Sequence, residues 1–180
     1  INGEIATDPR YALKVFLQDM TNTWEGYLSY DEGASFQKVF DSDGEDFYSY
    51  EFARTDPDRI YIVGAWNLWR SDDGGLTFYE CTKPFPITDD YTHFTRVVVD
   101  PNDEDHLLVI CNDRYGAVVE SFDGGHSWQQ FDLANLSDIR VHQIILVGDN
   151  FGSCYVTTYD GANVYFRDNS MSEFIDYSSG

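Results

Sequence analysis

Three groups of side chains in this 180-residue chain have types and spacings suited to chemistry or to holding a ligand. The first sets aromatic rings beside carboxylates: Asp19 ahead of Trp24, Trp66 next to Asn67, the run Asp113-Arg114-Tyr115, and the pair Tyr159-Asp160. A pyranose stacks its apolar face on such a ring while neighbouring acids accept from its hydroxyls. Trp24, Trp66, Arg114, Tyr115 and Tyr159 are therefore the candidate ligand contacts, with packing aromatics as the competing reading for the tryptophans, Trp69 above all. Cleavage of a glycosidic bond would need two carboxylates roughly 5 to 9.5 Å apart. Asp19, Asp113 and Asp160 are the catalytic candidates by position, although no motif singles out a pair and each also reads as a solvated loop acid. The second group is Asp41-Ser42-Asp43-Gly44-Glu45-Asp46, whose alternating oxygen donors resemble the start of a Ca2+ loop. Asp41, Asp43 and Asp46 are its candidate metal ligands. No bidentate Glu follows at the expected offset, so a solvated acidic turn competes with the metal reading, and no other cofactor is expected. The third group, His93, His106, His126 and His142 with Cys81, Cys111 and Cys154, has no metal-ligand spacing. Buried, unreactive thiols are expected, with one disulfide and a leftover thiol as the alternative.

These residues must be positioned by elements that repeat. Ser29-Tyr30-Asp31-Glu32-Gly33-Ala34-Ser35-Phe36 has the form Ser-x-Asp-x-Gly-x-Ser/Thr-aromatic. The form returns at Ser71-Asp72-Asp73-Gly74-Gly75-Leu76-Thr77-Phe78 and at Ser121-Phe122-Asp123-Gly124-Gly125-His126-Ser127-Trp128. A worn fourth copy runs from Phe166 through Asp168 to Phe174, so that Asp31, Asp73, Asp123 and Asp168 lie 42, 50 and 45 residues apart. A second turn signal keeps the same beat: Asp8-Pro9, Asp56-Pro57 and Asp100-Pro101, with Gly148-Asp149-Asn150 in the fourth place. Between the signals lie short apolar runs, such as 60–63, 107–111 and 144–147, continuous enough for strands covered on both faces. No stretch has helical periodicity. Units of four strands at a period near 45 residues are the sequence mark of propeller blades.

The box suits a tight hairpin between third and fourth strands. Asp and Ser oxygens hydrogen-bond to backbone within the turn, and Gly33, Gly75 and Gly125 supply positive φ. Ser29, Asp31, Ser71, Asp73, Ser121, Asp123 and Asp168 are accordingly expected to be structural. With these boxes the chain resembles the Asp-box (BNR) repeat proteins, β-propellers that include sialidases, xyloglucan-cleaving glycoside hydrolases, sortilin-type receptor ectodomains and photosystem assembly factors. The Asp-Pro turn before 107–111 and the box after Val118-Val119-Glu120 look most like the xyloglucanase and sortilin branches. The resemblance implies functional residues on the face opposite the boxes. A sialidase site is not implied, because Arg10 stands in Asp8-Pro9-Arg10-Tyr11 rather than in that family's Phe/Tyr-Arg-Ile-Pro motif, and Arg54, Arg96, Arg114 and Arg140 are scattered.

Composition narrows the partners. Thirty-two acidic against 11 basic residues give a net charge of −21, which repels phosphate backbones and excludes nucleic acid as a partner. No apolar run approaches the roughly 20 residues of a membrane-spanning helix, so no membrane insertion is expected. Hydrophobic residues at 42% and aromatics at 17% are enough for a core. The expected fold is all-β: a four-bladed, four-stranded antiparallel propeller portion, with repeats near 1–42, 43–86, 87–135 and 136–180. It reads as a segment of a larger propeller, completed by more of its own chain or by an oligomer, with a closed four-bladed ring as the alternative. In that first case Tyr11, Phe16, Tyr27, Tyr155, Tyr165 and Phe166 are the apolar residues expected at the open ends. The expected function is an extracellular or cell-surface module contacting glycan or protein without catalysis; the alternative is part of a glycoside hydrolase.

Overall fold

The structure, a computed structural model, describes residues 5–8, 14–18, 24–83, 93–112, 117–132, 141–147, 150–158, 163–168 and 174–177. Asp19, Asp113, Arg114, Tyr115, Tyr159 and Asp160 lie outside them. Every regular element described is a strand, and the strands form four antiparallel four-stranded sheets in simple meander order. The first holds β1 (Ile5–Thr7), β2 (Val15–Gln18), β3 (Glu25–Ser29) and β4 (Gln37–Asp41). The second holds β5 (Phe47–Phe52), β6 (Ile60–Gly64), β7 (Leu68–Ser71) and β8 (Tyr79–Glu80). The third holds β9 (His93–Asp100), β10 (Asp103–Asn112), β11 (Ala117–Ser121) and β12 (Gln129–Asp132). The fourth holds β13 (Val141–Val147), β14 (Asn150–Thr158), β15 (Val164–Arg167) and β16 (Ile175–Asp176). The propeller architecture expected from the repeats is the one observed.

The continuous apolar runs follow from strand alternation between two neighbours. In β6, Ile60 and Ile62 pack with Phe16, Leu28 and Phe40 of the first sheet, whereas Tyr61 and Val63 pack with Phe94, Val97 and Val109 of the third. In β10, Leu107, Val109 and Cys111 face the second sheet, while Leu108 and Ile110 join Ile144, Cys154 and Tyr165 of the fourth. Successive side chains point to opposite faces, so a strand sandwiched between blades must be apolar at every position. Each such side chain, fully buried, contributes about 1.5–3 kcal/mol of transfer free energy.

One expectation needs correction. Phe16 and Tyr165, anticipated at open ends, are 0% and 1% exposed because each faces inward across a blade seam. The last strand of the third blade starts at Gln129, after the Ser127 amide has been taken by the Asp123 carboxylate.

Candidate functional site

The two ends of the blades are built differently. At one end lie the β1–β2, β5–β6 and β9–β10 turns together with the β3–β4, β7–β8 and β11–β12 turns. In the last three, one serine and one aspartate organise the loop. Ser71 Oγ donates to Asp73 Oδ1 at 2.8 Å and accepts from Gly75 N at 2.8 Å. Asp73 in turn accepts from the amides of Leu76 and Thr77 at 3.0 and 2.9 Å and from the Thr77 hydroxyl. Ser29 with Asp31, and Ser121 with Asp123, repeat this arrangement onto Ser35 and Ser127. These bonds favour the ionised carboxyl. Bonds from Ser35 and Thr77 draw Asp31 and Asp73 to about 2. At Asp123 burial pushes upward, but the Ser127 bonds outweigh it and the value is again about 2. Gly75 has φ +91° and sits where a Cβ would come within 2.3 Å of Leu28 Cδ1 in the preceding blade. In the fourth blade Arg167 pairs with Cys154 as Ser71 pairs with Ile60, and Asp168 follows directly. The rest of that turn lies outside the described residues.

The same end carries polar ties that single repeats do not reveal. Lys14, Arg59 and His106 each stand just before the second strand of their blade or at its buried start, and the first two reach into the next blade. Lys14 Nζ donates to Pro57 O at 3.0 Å. Arg59 bridges Asp72 and Asp105, and Arg70 Nη1 donates to Gly124 O at 3.1 Å. At the third seam His106 lies between Asp100 (Nδ1–Oδ2 3.1 Å) and Glu120 (Nε2–Oε1 2.9 Å), and Arg167 Nη2 donates to Glu120 Oε2 at 3.0 Å. Burial works against ionising Glu120, yet His106 and Arg167 outweigh it and hold its carboxyl below the ordinary range. Aligning the repeats on their second strands would have found the recurring basic residue; its partners could not be read from sequence.

At the opposite end, the link between the first two blades gathers several of the residues singled out above. The Trp24 carbonyl accepts from Ser42 N at 3.0 Å and from Ser42 Oγ at 3.3 Å. Glu45, only 7% exposed, is the keystone of this end. Its Oε1 accepts from Trp66 N and, at 2.9 Å, from Asn67 N, and its Oε2 accepts from Asn67 Nδ2. Ala65 N donates to Asp46 O, and Phe94 N donates to Ala65 O, each at 2.9 Å, which ties the turn to the third blade. Trp24 and Trp66 are thus fixed through their backbones to opposite ends of segment 42–46, with side chains 38% and 39% exposed. Trp69, by contrast, is buried against Phe40.

Tyr48, also exposed, lies close by: burial raises its phenol pKa, and the charges of Asp46 and Glu45 raise it further. The His93 ring lies 5.9 Å from that of Trp66. His93 Nδ1 and Asn67 Oδ1 are buried without hydrogen-bond partners. The three acids proposed to hold Ca2+ do not converge. Asp41 Oδ2 takes Lys38 Nζ at 2.6 Å and its Oδ1 accepts from Asp43 N, while Glu45 points into the turn. Among the described residues no three His, Cys, Asp or Glu side chains gather into a metal site. All three cysteines are free, with Cys111 and Cys154 buried, and desolvation pushes Cys81 and Cys154 to about 12 and 11.

Four radially stacked meander sheets define a β-propeller. Residues 25–137, more than half of the chain, match the Sortilin-Vps10 family, described as sortilin, neurotensin receptor 3, and the chain belongs to that family. No curated protein matches the sequence. Among solved structures, an ancestral GH74 enzyme superposes with a TM-score of 0.74 at 18% identity, over 95% of this chain and 23% of that one. The GH74 xyloglucanase of Xanthomonas campestris gives 0.74 at 18% identity over 97% and 30%, and YCF48 bound to D1 peptide gives 0.65 at 14% over 98% and 58%. The chain therefore spans between about a quarter and three-fifths of the length of these structures, and at such identities the likeness is one of fold.

Proposed function

We propose that this propeller module is a non-catalytic binding element, acting outside the cell or at its surface, that contacts glycan or protein through the end opposite the aspartate turns. The observation that carries this reading is the pair of half-exposed tryptophans, Trp24 and Trp66, held by backbone bonds to one short segment. A backbone held in this way leaves only the two side-chain torsions of each tryptophan to be ordered when a ligand stacks on it. The nearest buried carboxylate, Glu45, is committed to the Trp66–Asn67 turn, which leaves it no role as an acid or base. Membership of the sortilin family supports a receptor-like role over a hydrolytic one. An array of neutral, acidic and basic oligosaccharides and peptides tests it: ligands retained by the native chain should be lost by the double variant Trp24→Ala/Trp66→Ala.

The second reading is a portion of a glycoside hydrolase, favoured by the likeness to two GH74 structures across nearly the whole chain. Asp19, Asp113 and Asp160 are its candidate acids. Release of reducing ends from xyloglucan by the native chain, lost on Asp113→Asn, would support it.

A further blade, from the same chain or a second copy, is proposed to cover the outer face of the fourth sheet. There Tyr155, Phe166 and Tyr177 stack at 4.9 and 5.7 Å, with Ile145 and Ile175 exposed beside them.

A further inference from the structure

We infer that the Trp24–Trp66 platform is a receptor for a cationic group, a lysine or arginine side chain of a basic peptide segment, rather than for a neutral or acidic sugar. The inference rests on reading that end as a ligand platform and adds the chemistry of what it holds.

Three exposed aromatic residues adjoin segment 42–46: Trp24 through its carbonyl to Ser42, Trp66 through its amide to Glu45, and Tyr48 two residues further along the chain. An aromatic face attracts a cation through its quadrupole, most strongly for tryptophan, and guanidinium groups stack on it as well. The rim contributes charge of one sign. Asp41, Asp43 and Asp46 are exposed in or beside the segment. Among the described residues the neighbouring cation Lys38 is already held at 2.6 Å by both Glu25 and Asp41. Aromatic faces beside these carboxylates favour ammonium or guanidinium and disfavour carboxylate-bearing sugars. The net charge of −21 extends the same field outward and speeds the approach of a basic partner.

Glu45 makes the arrangement specific. A carboxylate lost among five acidic or small residues in sequence is buried and fixes the tryptophan turn, and Gly64 keeps room for it, since a Cβ there would stand 2.6 Å from Glu45 Oε1. The backbone that carries both tryptophans is thereby fixed before any ligand arrives.

The test uses the 180-residue chain, intrinsic tryptophan fluorescence, and three probes: a twelve-residue alternating Arg-Gly peptide, its Glu-Gly counterpart, and a neutral xyloglucan oligosaccharide. Only the Arg-Gly peptide should bind, more weakly as salt is raised. Trp66→Ala should weaken it about tenfold, the scale of a desolvated cation–π contact. Asp43→Asn/Asp46→Asn should weaken it several-fold, about one factor of three per charge, and flatten its salt dependence. Glu32→Gln/Asp58→Asn removes equal charge from exposed positions in the turns at the opposite end of the blades and should change nothing. If both charge pairs weaken binding equally, or Trp66→Ala has no effect, the peptide is merely attracted to an acidic surface and the inference is overturned. If the oligosaccharide binds in a Trp66-dependent way and the peptide does not, the cationic assignment falls while the platform stands. If no probe binds, both fall.

Discussion

Single residues account for the turns. In Ser71–Thr77 and its two counterparts, one carboxylate satisfies the amides that a tight loop strips of partners. Replacing Asp123 by Ala should lower the melting temperature, and Gly125→Ala should cost about 1–3 kcal/mol for a side chain forced to positive φ. The latter site is also crowded, with a Cβ placed 2.9 Å from Cys81 Sγ. Acidity gives a second handle on the same residues. Carboxyls held near 2, against an ordinary unfolded value of about 3.9, stabilise the fold fully above that unfolded value. That contribution disappears as pH falls toward 2, so thermal stability should drop between about pH 4 and pH 2. Asp73→Asn/Asp123→Asn should make this part of the profile shallower; an unchanged slope would mean that the aspartates do not carry the turns. These turns were readable in sequence because their bonds join residues two to four positions apart. Glu45 was not, since nothing in Asp41-Ser42-Asp43-Gly44-Glu45-Asp46 distinguishes the one buried acid from its solvated neighbours.

At the scale of elements, the strands are held by what lies across the seams. Apolar runs announced that β6 and β10 are covered on both faces, and alternation alone divides their side chains between neighbours. The polar ties between blades stayed hidden because their partners lie 43 to 54 residues apart, as with Lys14 to Pro57 and Arg70 to Gly124. At the third seam Glu120→Ala would leave Arg167 and His106 buried without their shared anion. Removing one member of a buried charge network costs about 3–5 kcal/mol. Urea unfolding at pH 7 should register a loss of that order. Because the native Glu120 carboxyl is held below its ordinary value, its share of stability is present above the unfolded value and fades as pH falls through the folded one. The variant's deficit should therefore shrink in acid, and a deficit independent of pH would argue that Glu120 contributes through packing alone.

At the scale of the whole molecule, two surfaces stand out among the described residues of this acidic chain. One is the outer face of the fourth sheet, where Tyr177 and Ile145 are 56% and 47% exposed. An apolar face of this kind on a chain of charge −21 should self-associate, and more so at high salt, where repulsion between copies is screened. Sedimentation should show associated species that Ile145→Asp/Tyr177→Asp returns to monomer. A monodisperse native monomer at every salt concentration would contradict this. The other is the proposed ligand platform at the half-exposed Trp24 and Trp66. The sequence indicated its aromatics and the end of the blades they occupy, while the acids Asp19, Asp113 and Asp160 lie outside the described residues.

The platform is also the claim most directly measurable, because the chain has four tryptophans in two environments. Trp69 is buried in the blade seam and Trp128 packs against the core, whereas Trp24 and Trp66 are half-exposed at the platform. With 5-fluorotryptophan incorporated, the four fluorine resonances can be assigned by single substitution and followed while the Arg-Gly peptide is titrated. The account predicts that the Trp24 and Trp66 signals shift together and saturate while those of Trp69 and Trp128 stay in place. Saturable binding of the peptide with the Trp24 and Trp66 signals unmoved would contradict it.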